Sequence, residues 1–404
     1  MVVLSSWGKP PKKPDRFLVP TLPKSYGLDS KALRDGIDTA ASEPEKILPK
    51  SYGLDSKALR YGIDAAASEP EKILPNLKVW TPMLNLMVVT PARGNQNIFV
   101  SEMKMKYTII GLGEILWDMF PAGKNLGGAP ANFAYHAHAL GHKGVIVSAV
   151  GDDELGHEII EQLQHLCLTC DYIAIDKTKP TGTVSVYLDE KGQPTYTIHE
   201  GVAWDFIPNM PSLIALADKA DAVCFGSLAQ RSEVSRHTIR DFLDKVSSKP
   251  LRIFDVNLRQ AFYTKAIIES SLQRANVLKI NDEELPIIAN LLDDFSAKDE
   301  HRALKTLARH YDLRLVALTK GDKGSILYAN EQFATHPGCA STQSIVDTVG
   351  AGDAFTAALA IGMLKGYDLE RLNKEANCLA AFVCSRAGAT PTLPDELIEP
   401  YFQS

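Results

Sequence analysis

Short apolar strands and amphipathic helices alternate along the second half of the chain, and this alternation limits the possible folds more than any other feature. Strands are predicted at residues 222–225, 252–256, 277–280 and 315–319, with helices at residues 232–247, 265–274, 282–291 and 299–311. Repeats of this kind form a parallel sheet with right-handed crossovers and helices on its faces. We therefore expect an α/β fold, with ligands beyond the carboxyl ends of the strands.

An antiparallel hairpin interrupts this alternation. Residues 183–188 and 195–198 carry strand-like sequences on either side of a turn at residues 189–192. Insertions of this kind often act as lids, and we expect lid elements at about residues 118–126 and 181–204. An exposed lid edge can pair with a second copy of the chain, so a homodimer through the lid is one predicted assembly.

A glycine-rich loop lies between an apolar run at Ile345 and Val346, which predicts a strand, and an alanine-rich helix. The loop reads Asp347-Thr-Val-Gly-Ala-Gly-Asp353. Free N–H groups and a positive helix dipole make such a helix start an anion site, and glycines let a ligand approach the backbone. Asp353 is unusual in an anion site. It either takes a proton from an attacking hydroxyl or only caps the helix.

Polar side chains also follow the predicted strands. A glycine pair and Asn132 stand at the start of an early helix, and with Asp118 they offer the donors and acceptors that a polyol needs. Arg259 follows a later strand and can hold an anionic group with two hydrogen bonds. Asn281 and Glu284 follow the next strand and carry oxygen atoms suited to a hydrated Mg²⁺ ion.

The first 104 residues differ from the rest of the chain. Residues 23–48 recur as residues 49–74 with two differences. Two copies are too few to bury a stacked core, so we predict a flexible N-terminal extension over residues 1–104 and a globular domain over residues 105–404. Met103 and Met105 precede the first strand of that domain, where a start codon would be natural.

Charge and composition argue against several classes of function. Residues 105–404 hold 38 acidic and 28 basic side chains, so no nucleic-acid partner is expected. No apolar run reaches the roughly 18 residues that span a bilayer, and no secretory signal is visible, so we expect no membrane partner and a cytoplasmic location. The six scattered cysteines favour buried free thiols over a disulfide framework. Cys167 and Cys170 have metal-ligand spacing but no second pair, so no zinc site is expected.

Together these segments resemble the ribokinase-like (PfkB) carbohydrate kinases, and among them the bacterial-type fructokinases. The resemblance covers about residues 106–398, and its most specific part is the stretch Asp347–Asp353 followed by Ala-Phe. Further matching segments are Gly127-Gly-Ala-Pro-Ala-Asn132, Gly113-Glu-Ile-Leu-Trp-Asp118, Val202-Ala-Trp-Asp205, Gly226-Ser-Leu-Ala-Gln-Arg231 and Asp255-Val-Asn-Leu-Arg259. The resemblance implies a ribokinase-like, three-layer α/β/α fold with a mostly parallel central sheet and a small β-sheet lid.

The resemblance also implies roles for individual residues. Asp353 matches the catalytic base, and the N–H groups of Gly350, Ala351 and Gly352 match the anion hole for the transferred phosphoryl group. The positions that match sugar contacts are Asp118, Gly127, Gly128, Asn132 and Gln230, and we group Arg259 with them as a substrate-binding residue.

The nucleotide and metal sites follow from the same resemblance. Asn281 and Glu284 match the motif that organises Mg²⁺ and phosphate, with Glu284 acting through water. The positions that match nucleotide contacts are Thr319, Gly321, Gly324 and Asn377. Asp347 and Val349, together with residues 388–392, fall where many relatives hold a monovalent cation such as K⁺. The expected cofactors are thus ATP and Mg²⁺, with K⁺ at the second site.

The implied activity is ATP-dependent phosphorylation of a sugar hydroxyl. Leu116 stands where ribose-specific relatives have a polar residue, which favours a hexose and, with the fructokinase-like segments, D-fructose. A kinase of another sugar, of a sugar acid such as 2-keto-3-deoxygluconate or of a nucleoside is the alternative. A kinase-like scaffold without activity is disfavoured, because Asp353 and the loop glycines are all present.

Overall fold

The computed structural model describes residues 87–91, 98–102, 107–121, 123–188, 194–293, 295–339 and 345–402. These residues fall into two units, divided after Met103. In the first unit, strands β1 (Met87–Pro91) and β2 (Ile98–Glu102) pair antiparallel. The tandem repeat and the turn predicted at residues 189–192 lie outside the described residues.

The second unit contains the predicted alternation of strands and helices. Its strands are β3 (Thr108–Leu112), β4 (Leu116–Phe120), β5 (Gly123–Gly127), β6 (Lys143–Gly151), β7 (Ile173–Asp176), β8 (Thr183–Leu188), β9 (Pro194–Ile198), β10 (Ala222–Phe225), β11 (Leu251–Asp255), β12 (Val277–Asn281), β13 (Leu315–Thr319), β14 (Ser325–Ala329) and β15 (Gln332–His336). Its α-helices are α1 (Ala129–Ala139), α2 (Glu154–His165), α3 (Ser212–Ala217), α4 (Glu233–Lys245), α5 (Lys265–Arg274), α6 (Glu284–Leu292), α7 (Glu300–His310), α8 (Ala351–Leu364), α9 (Leu369–Cys384) and α10 (Asp395–Phe402).

The larger sheet carries helices on both faces, as predicted. Among the described residues its strand order is β15-β14-β13-β12-β11-β10-β3-β6-β7, parallel except for β14 and β15. One face packs under α4 to α7, in a core that includes Ile239 and Leu304. The opposite face packs under α1, α8 and α9, in a core that includes Phe133 and Leu379. The α/β/α prediction is therefore confirmed, and the carboxyl ends of the parallel strands converge on one edge.

A four-stranded sheet, with strand order β5-β4-β8-β9, forms the predicted small sheet. Its β8 and β9 are the two arms of the predicted hairpin, while β4 pairs with β5 antiparallel and with β8 parallel. This sheet supplies Asp118 and Gly127 to the site described below. No helix in the described part of the chain is long and apolar enough to cross a membrane.

Two local predictions were wrong. Ile345 and Val346 form no strand, and Ile345 is 65% exposed. The sequence also predicts a turn at residues 151–156 before a helix at residues 158–165, but this turn is in part the start of α2, because the side chain of Asp153 accepts a hydrogen bond from the N–H of Gly156 and caps that helix. Strands β1, β2, β7, β14 and β15 had no sequence prediction.

The cysteine prediction was also wrong in part. Cys339 and Cys378 form a disulfide, with their Cα atoms 5.2 Å apart. The two cysteines lie 39 residues apart in sequence, and this spacing did not indicate that the loop after β15 would contact helix α9. The remaining cysteines are free, although Cys167 is exposed rather than buried. The described residues contain no group of three or more His, Cys, Asp or Glu side chains that could hold a metal ion.

Candidate active site

Helix α8 begins at the glycine-rich loop without a side-chain cap. Gly350 occupies the position before the helix with φ of 78°, a left-handed conformation that favours glycine. A Cβ atom there would lie 2.6 Å from the Cα of Ala389. The loop and the segment at residue 389 therefore pack in direct contact. The N–H of Ala351 donates a long hydrogen bond of 3.4 Å to the carbonyl of Thr348, and the N–H groups of Gly350 and Gly352 are the ones available to an anion.

Asp353 lies in the first turn of α8 and is 8% exposed. Its Oδ2 accepts a hydrogen bond from the Nδ2 of Asn132 at 2.9 Å. The alternative in which Asp353 caps the helix was wrong, because no side chain caps α8 and the carboxylate faces α1 instead. The bond joins the glycine-rich loop to the Gly-Gly/Asn element, which is 221 residues away in sequence.

The buried position of Asp353 changes its acidity. Burial, and next the charge of Asp255, raise its pKa to about 6, although the Asn132 hydrogen bond, Lys279 and Arg259 act in the opposite direction. A carboxylate with a pKa nearer to neutrality is a better proton acceptor than a free aspartate. Asp353 can therefore remove a proton from a hydroxyl group at physiological pH.

Asp118 and the glycine pair lie together between the small sheet and α1. A Cβ atom on Gly127 would lie 2.5 Å from the Oδ2 of Asp118, so the carboxylate rests against this glycine backbone. Gly128 has φ of 109°, and any side chain there would overlap the carbonyl oxygen of Glu114. Burial raises the pKa of Asp118 to about 6, while Arg259 lowers it and Asp347 raises it. Asn132 donates its N–H to the carbonyl of Gly128 at 2.9 Å, so Asp118, the glycine pair and Asn132 form one polar group, which we call the cleft.

Arg259 and Gln230 occupy different environments. Arg259 is exposed, and its charge acts on Glu114, Asp118 and Asp353. Gln230 is buried and donates its amide hydrogens to the carbonyl of Gly226 at 2.8 Å and the hydroxyl of Ser271 at 2.9 Å. The structure therefore brings Arg259 into the electrostatic field of the cleft, whereas the amide donors of Gln230 are engaged within the scaffold.

Sequence reasoning gave no role to a buried charged network beneath the loop. The Nζ of Lys279 lies 3.0 Å from the Oδ1 of Asp255, and the hydroxyl of Thr356 donates to the Oδ2 of Asp255 at 2.9 Å. A Cβ atom on Gly352 would lie 3.2 Å from the Lys279 Nζ. A positive charge therefore lies directly behind the predicted anion hole. In the sequence, a lysine within the otherwise apolar strand β12 could have indicated this buried network.

Asn281 and Glu284 form a reciprocal pair at the start of α6. The Oδ1 of Asn281 accepts from the N–H of Glu284 at 2.8 Å, and the Oε2 of Glu284 accepts from the N–H of Asn281 at 3.0 Å. The Oε1 of Glu284 accepts from the N–H of Leu258 at 2.9 Å. This arrangement is a capping box that also fixes the loop leading to Arg259. Each Glu284 oxygen keeps a second lone pair that can accept from a metal-bound water.

The residues predicted on the nucleotide side follow β13 or belong to α9. Thr319 ends β13, Gly321 begins a short 3₁₀ turn, and Gly324 closes that turn. Asn377 is buried in α9, and its amide donates to the hydroxyl of Ser325 at 2.7 Å. Asn377 therefore connects α9 to the start of β14, next to the turn that holds the two glycines.

Asp347, one of the two residues predicted to hold a monovalent cation, connects the glycine-rich loop to the segment after α9. Its Oδ1 accepts from the N–H of Val349 at 3.0 Å, and its Oδ2 accepts from the N–H of Gly388 at 3.2 Å. His136 on α1 contacts the carbonyl of Ala389 at 2.9 Å. Burial lowers the pKa of His136 to about 4, although the hydrogen bond with Ala389 raises it. The ring is therefore neutral, and its Nε2–H donates to the carbonyl of Ala389.

Comparisons with known proteins agree with this geometry. A family model described as pfkB family carbohydrate kinase matches residues 105–396. A sugar kinase of Pyrococcus horikoshii is 31% identical over 311 residues, which are 72% of this chain and 94% of that protein. A fructokinase of Salmonella typhimurium is 31% identical over 262 residues, which are 61% of this chain and 81% of that protein.

Solved structures agree as well. The uncharacterized sugar kinase of Pyrococcus horikoshii, also crystallised in complex with ATP, matches with a TM-score of 0.62 over 72% of this chain and 97% of that chain. Fructokinase from Vibrio cholerae O395, in its fructose, ADP and calcium ion bound form, shares the fold at 23% identity, with a TM-score of 0.62 over 74% of this chain and 99% of that one. The chain belongs to the pfkB family of carbohydrate kinases and is a phosphotransferase that acts on a sugar hydroxyl.

Proposed function

We propose that the protein is an ATP-dependent hexose kinase that converts D-fructose to fructose 6-phosphate. The observation that carries this proposal is the 2.9 Å hydrogen bond between Asp353 and Asn132. It joins a base at the start of an uncapped helix to a cleft whose other polar groups suit a polyol. The fructokinase of Salmonella typhimurium, at 31% identity, supports a hexose as the acceptor.

The proposed mechanism begins with the acceptor hydroxyl beside Asp353. Asn132 holds the carboxylate in one orientation, and the carboxylate takes the hydroxyl proton as the hydroxyl oxygen bonds to the γ-phosphorus of ATP. The bond from that phosphorus to the bridging oxygen breaks, and ADP leaves with the electron pair. General-base catalysis of this kind contributes roughly 10²- to 10⁴-fold to a rate. Because the transition state of phosphoryl transfer is loose, alignment and charge stabilisation carry most of the remaining catalysis.

The anion hole supplies the charge stabilisation in this proposal. The N–H groups of Gly350, Ala351 and Gly352 donate to the transferred phosphoryl group, and each such donor is worth roughly 3 kcal/mol in measured oxyanion holes. Lys279 lies behind Gly352, so its ammonium adds one positive charge close to the loop. Arg259 approaches from the exposed side of the same cleft.

The residues present fit ATP and Mg²⁺. The helix start accepts an anion because no side chain caps it, and Thr319, Gly321, Gly324 and Asn377 would hold the nucleotide. Asn281 and Glu284 would hold Mg²⁺ through water, since both Glu284 oxygens already accept from backbone N–H groups. The bound metal ion would neutralise charge on the phosphates. Asp347 and the carbonyl of Val349 would hold K⁺ beside the loop.

A coupled assay of ADP release tests the proposed function. Purified protein is incubated with ATP, Mg²⁺ and one acceptor among D-fructose, ribose, 2-keto-3-deoxygluconate and adenosine. We expect the highest kcat/KM with fructose, and a tenfold preference for adenosine or for the sugar acid would overturn the assignment. Repeating the assay with and without K⁺ tests the second cation site. We expect unchanged kinetics after deletion of residues 1–102, since the site lies in residues 105–404.

We also infer a homodimer formed through the small sheet. Strand β9 is an edge strand of that sheet, and Tyr196 on it is 47% exposed. Unpaired edge strands are suited to pairing with a second copy. Light scattering after gel filtration is expected to give twice the chain mass of 44.2 kDa, and Tyr196→Lys is expected to shift the mass towards the monomer. A wild-type monomer contradicts this assembly.

A further inference from the structure

Glu114 has a buried carboxyl oxygen without a partner. It directly follows the turn after β3, is 3% exposed, and its Oε2 accepts no hydrogen bond among the described residues. Leaving a buried polar atom unsatisfied costs about 1 to 3 kcal/mol, and more for a charged group. Such an atom therefore indicates either a strained scaffold or a place for a ligand.

Its surroundings are those of the acceptor cleft. The carbonyl of Glu114 lies against Gly128 so closely that a side chain on this glycine would overlap it. The charges that act on the Glu114 carboxyl are those of Arg259, Asp353 and Arg231. The backbone of Glu114 thus contacts Gly128, and the charges of Asp353 and Arg259 act on its carboxyl group.

A second unsatisfied group occurs at the same sheet edge. Glu114 follows β3 and Asn257 follows β11, and β10 lies between these two parallel strands, so both residues lie at the same edge of the larger sheet, separated by one strand. The Nδ2 of Asn257 has no hydrogen-bond partner among the described residues, and its backbone has φ of 42°. An unpaired acceptor and an unpaired donor together are what a hydroxyl group, itself both donor and acceptor, can satisfy.

The protonation of Glu114 suits the same partner. Burial raises the pKa of Glu114 to about 7, and this is the largest effect. A hydrogen bond to its own backbone and the charges of Arg259 and Arg231 lower the pKa. Near neutral pH the carboxyl group is thus present in both forms. It can accept a hydrogen bond from a hydroxyl or donate one to it without the full cost of a buried charge.

We propose that Glu114 contacts the acceptor sugar, hydrogen-bonds one of its hydroxyl groups other than the one phosphorylated, and thereby determines acceptor specificity. The inference rests on the proposed hexose kinase activity and adds a residue to its acceptor site. Asp118 lies on β4 at the other side of the Gly127–Gly128 turn. Glu114 lies in the connection between β3 and β4, whereas Asp118 lies on β4 itself, so in this proposal the two carboxyl groups contact different parts of the sugar.

Two substitutions separate contact from structure. Glu114→Gln keeps the shape and a hydrogen-bonding group, whereas Glu114→Leu removes every polar atom from the side chain. Glu161 on α2 is exposed, so Glu161→Gln and Glu161→Leu are matched controls. Each variant is assayed with the best acceptor and with its monodeoxy analogues, and the melting temperature and the KM for ATP are recorded beside kcat and KM for the sugar.

Loss of a hydrogen bond between a buried group and a substrate hydroxyl lowers kcat/KM by about 10- to 100-fold. We expect this loss for Glu114→Leu with the parent sugar, with the KM for ATP changed less than about twofold and the melting temperature near that of the wild type. The decisive result is a monodeoxy analogue that the wild type uses poorly but that Glu114→Leu uses as well as the parent sugar. Glu114→Gln is expected to retain most of the wild-type discrimination.

The proposal is overturned if Glu114→Leu lowers kcat/KM equally for the parent sugar and for every deoxy analogue. It is also overturned if kcat/KM does not change. If Glu114→Leu does not fold, Glu114→Ala, which also removes the carboxyl group, decides by the same comparison: the fall in its kcat/KM must be smaller for one deoxy analogue than for the parent sugar. A wild type that phosphorylates no sugar refutes the hexose kinase activity itself, and with it the acceptor contact. An active wild type with an equal penalty refutes only the role of Glu114.

Discussion

Substitution of Lys279 by methionine is expected to destabilise the protein strongly. Lys279 and Asp255 are each 4% exposed at the side chain and form an ion pair at 3.0 Å. Although burial disfavours its charge, Asp255, Glu284 and Asp353 raise the pKa of Lys279 above its usual value, so the ammonium is charged in the folded protein. Lys279→Met therefore leaves the Asp255 carboxylate buried without its counter-ion.

The magnitude follows from the geometry of the pair. Removal of one member of a buried ion pair costs about 3 to 5 kcal/mol. Asp255 keeps the 2.9 Å hydrogen bond from Thr356, which favours the lower end, about 3 kcal/mol. For a domain of about 300 residues, that loss corresponds to a fall in melting temperature of roughly 5 °C. Lys279→Met/Asp255→Asn neutralises both members and keeps an acceptor for Thr356, so we expect it to recover most of the loss.

Differential scanning calorimetry and urea unfolding measure both variants. Lys265→Met is the matched control, because its ion pair with Glu269 lies at the surface, where the side chains are 47% and 40% exposed; it should cost at most about 0.5 kcal/mol. A Lys279→Met protein that melts within about 2 °C of the wild type contradicts the reasoning. So does a double variant that is no more stable than the single one.

Two further predictions concern the catalytic loop. Gly350→Ala places a side chain at a left-handed φ of 78° and 2.6 Å from the Cα of Ala389, so we expect kcat to fall by more than about 100-fold. The control is Gly366→Ala, at φ of 73° with no atom within 4 Å of the added Cβ, which should leave kcat near the wild-type value. Equal effects of the two variants on kcat would refute the packing argument. Because the pKa of Asp353 is raised to about 6 and the base must be deprotonated, kcat/KM should be level above that pH and fall tenfold per unit below it. A profile that stays level down to pH 4.5 would contradict this assignment, and the acid limb should persist in Asp118→Asn.

The sequence predicted the features that are set by residues close to one another in the chain. The alternation of strands and helices predicted the parallel sheet, and the glycine-rich loop predicted the start of helix α8 at Gly350, because both follow from neighbouring residues. The alanine-rich helix α8 is buried against α1, as its core spacing at Phe355, Ala358 and Leu359 requires.

The remaining features arise from contacts between distant residues. The pairing of Lys279 with Asp255 and the disulfide between Cys339 and Cys378 depend on which strands and helices become neighbours. The unsatisfied oxygen of Glu114 is visible only once its surroundings are built. Ile345 and Val346 had the composition of a strand, but the N–H of Val346 donates to the carbonyl of Cys384 at the end of α9 at 2.9 Å and no strand forms at these two residues, so composition was misleading there.

The central claim is that Asp353 is the base that deprotonates the acceptor hydroxyl. Asp353→Asn keeps the size of the side chain and an oxygen that can accept from Asn132, so the cleft should remain intact. We expect kcat to fall by about 10³-fold or more, with calorimetric binding of fructose and of ATP within a few-fold of the wild type. Turnover by Asp353→Asn above a few per cent of the wild-type rate, with the fold intact, would contradict the account.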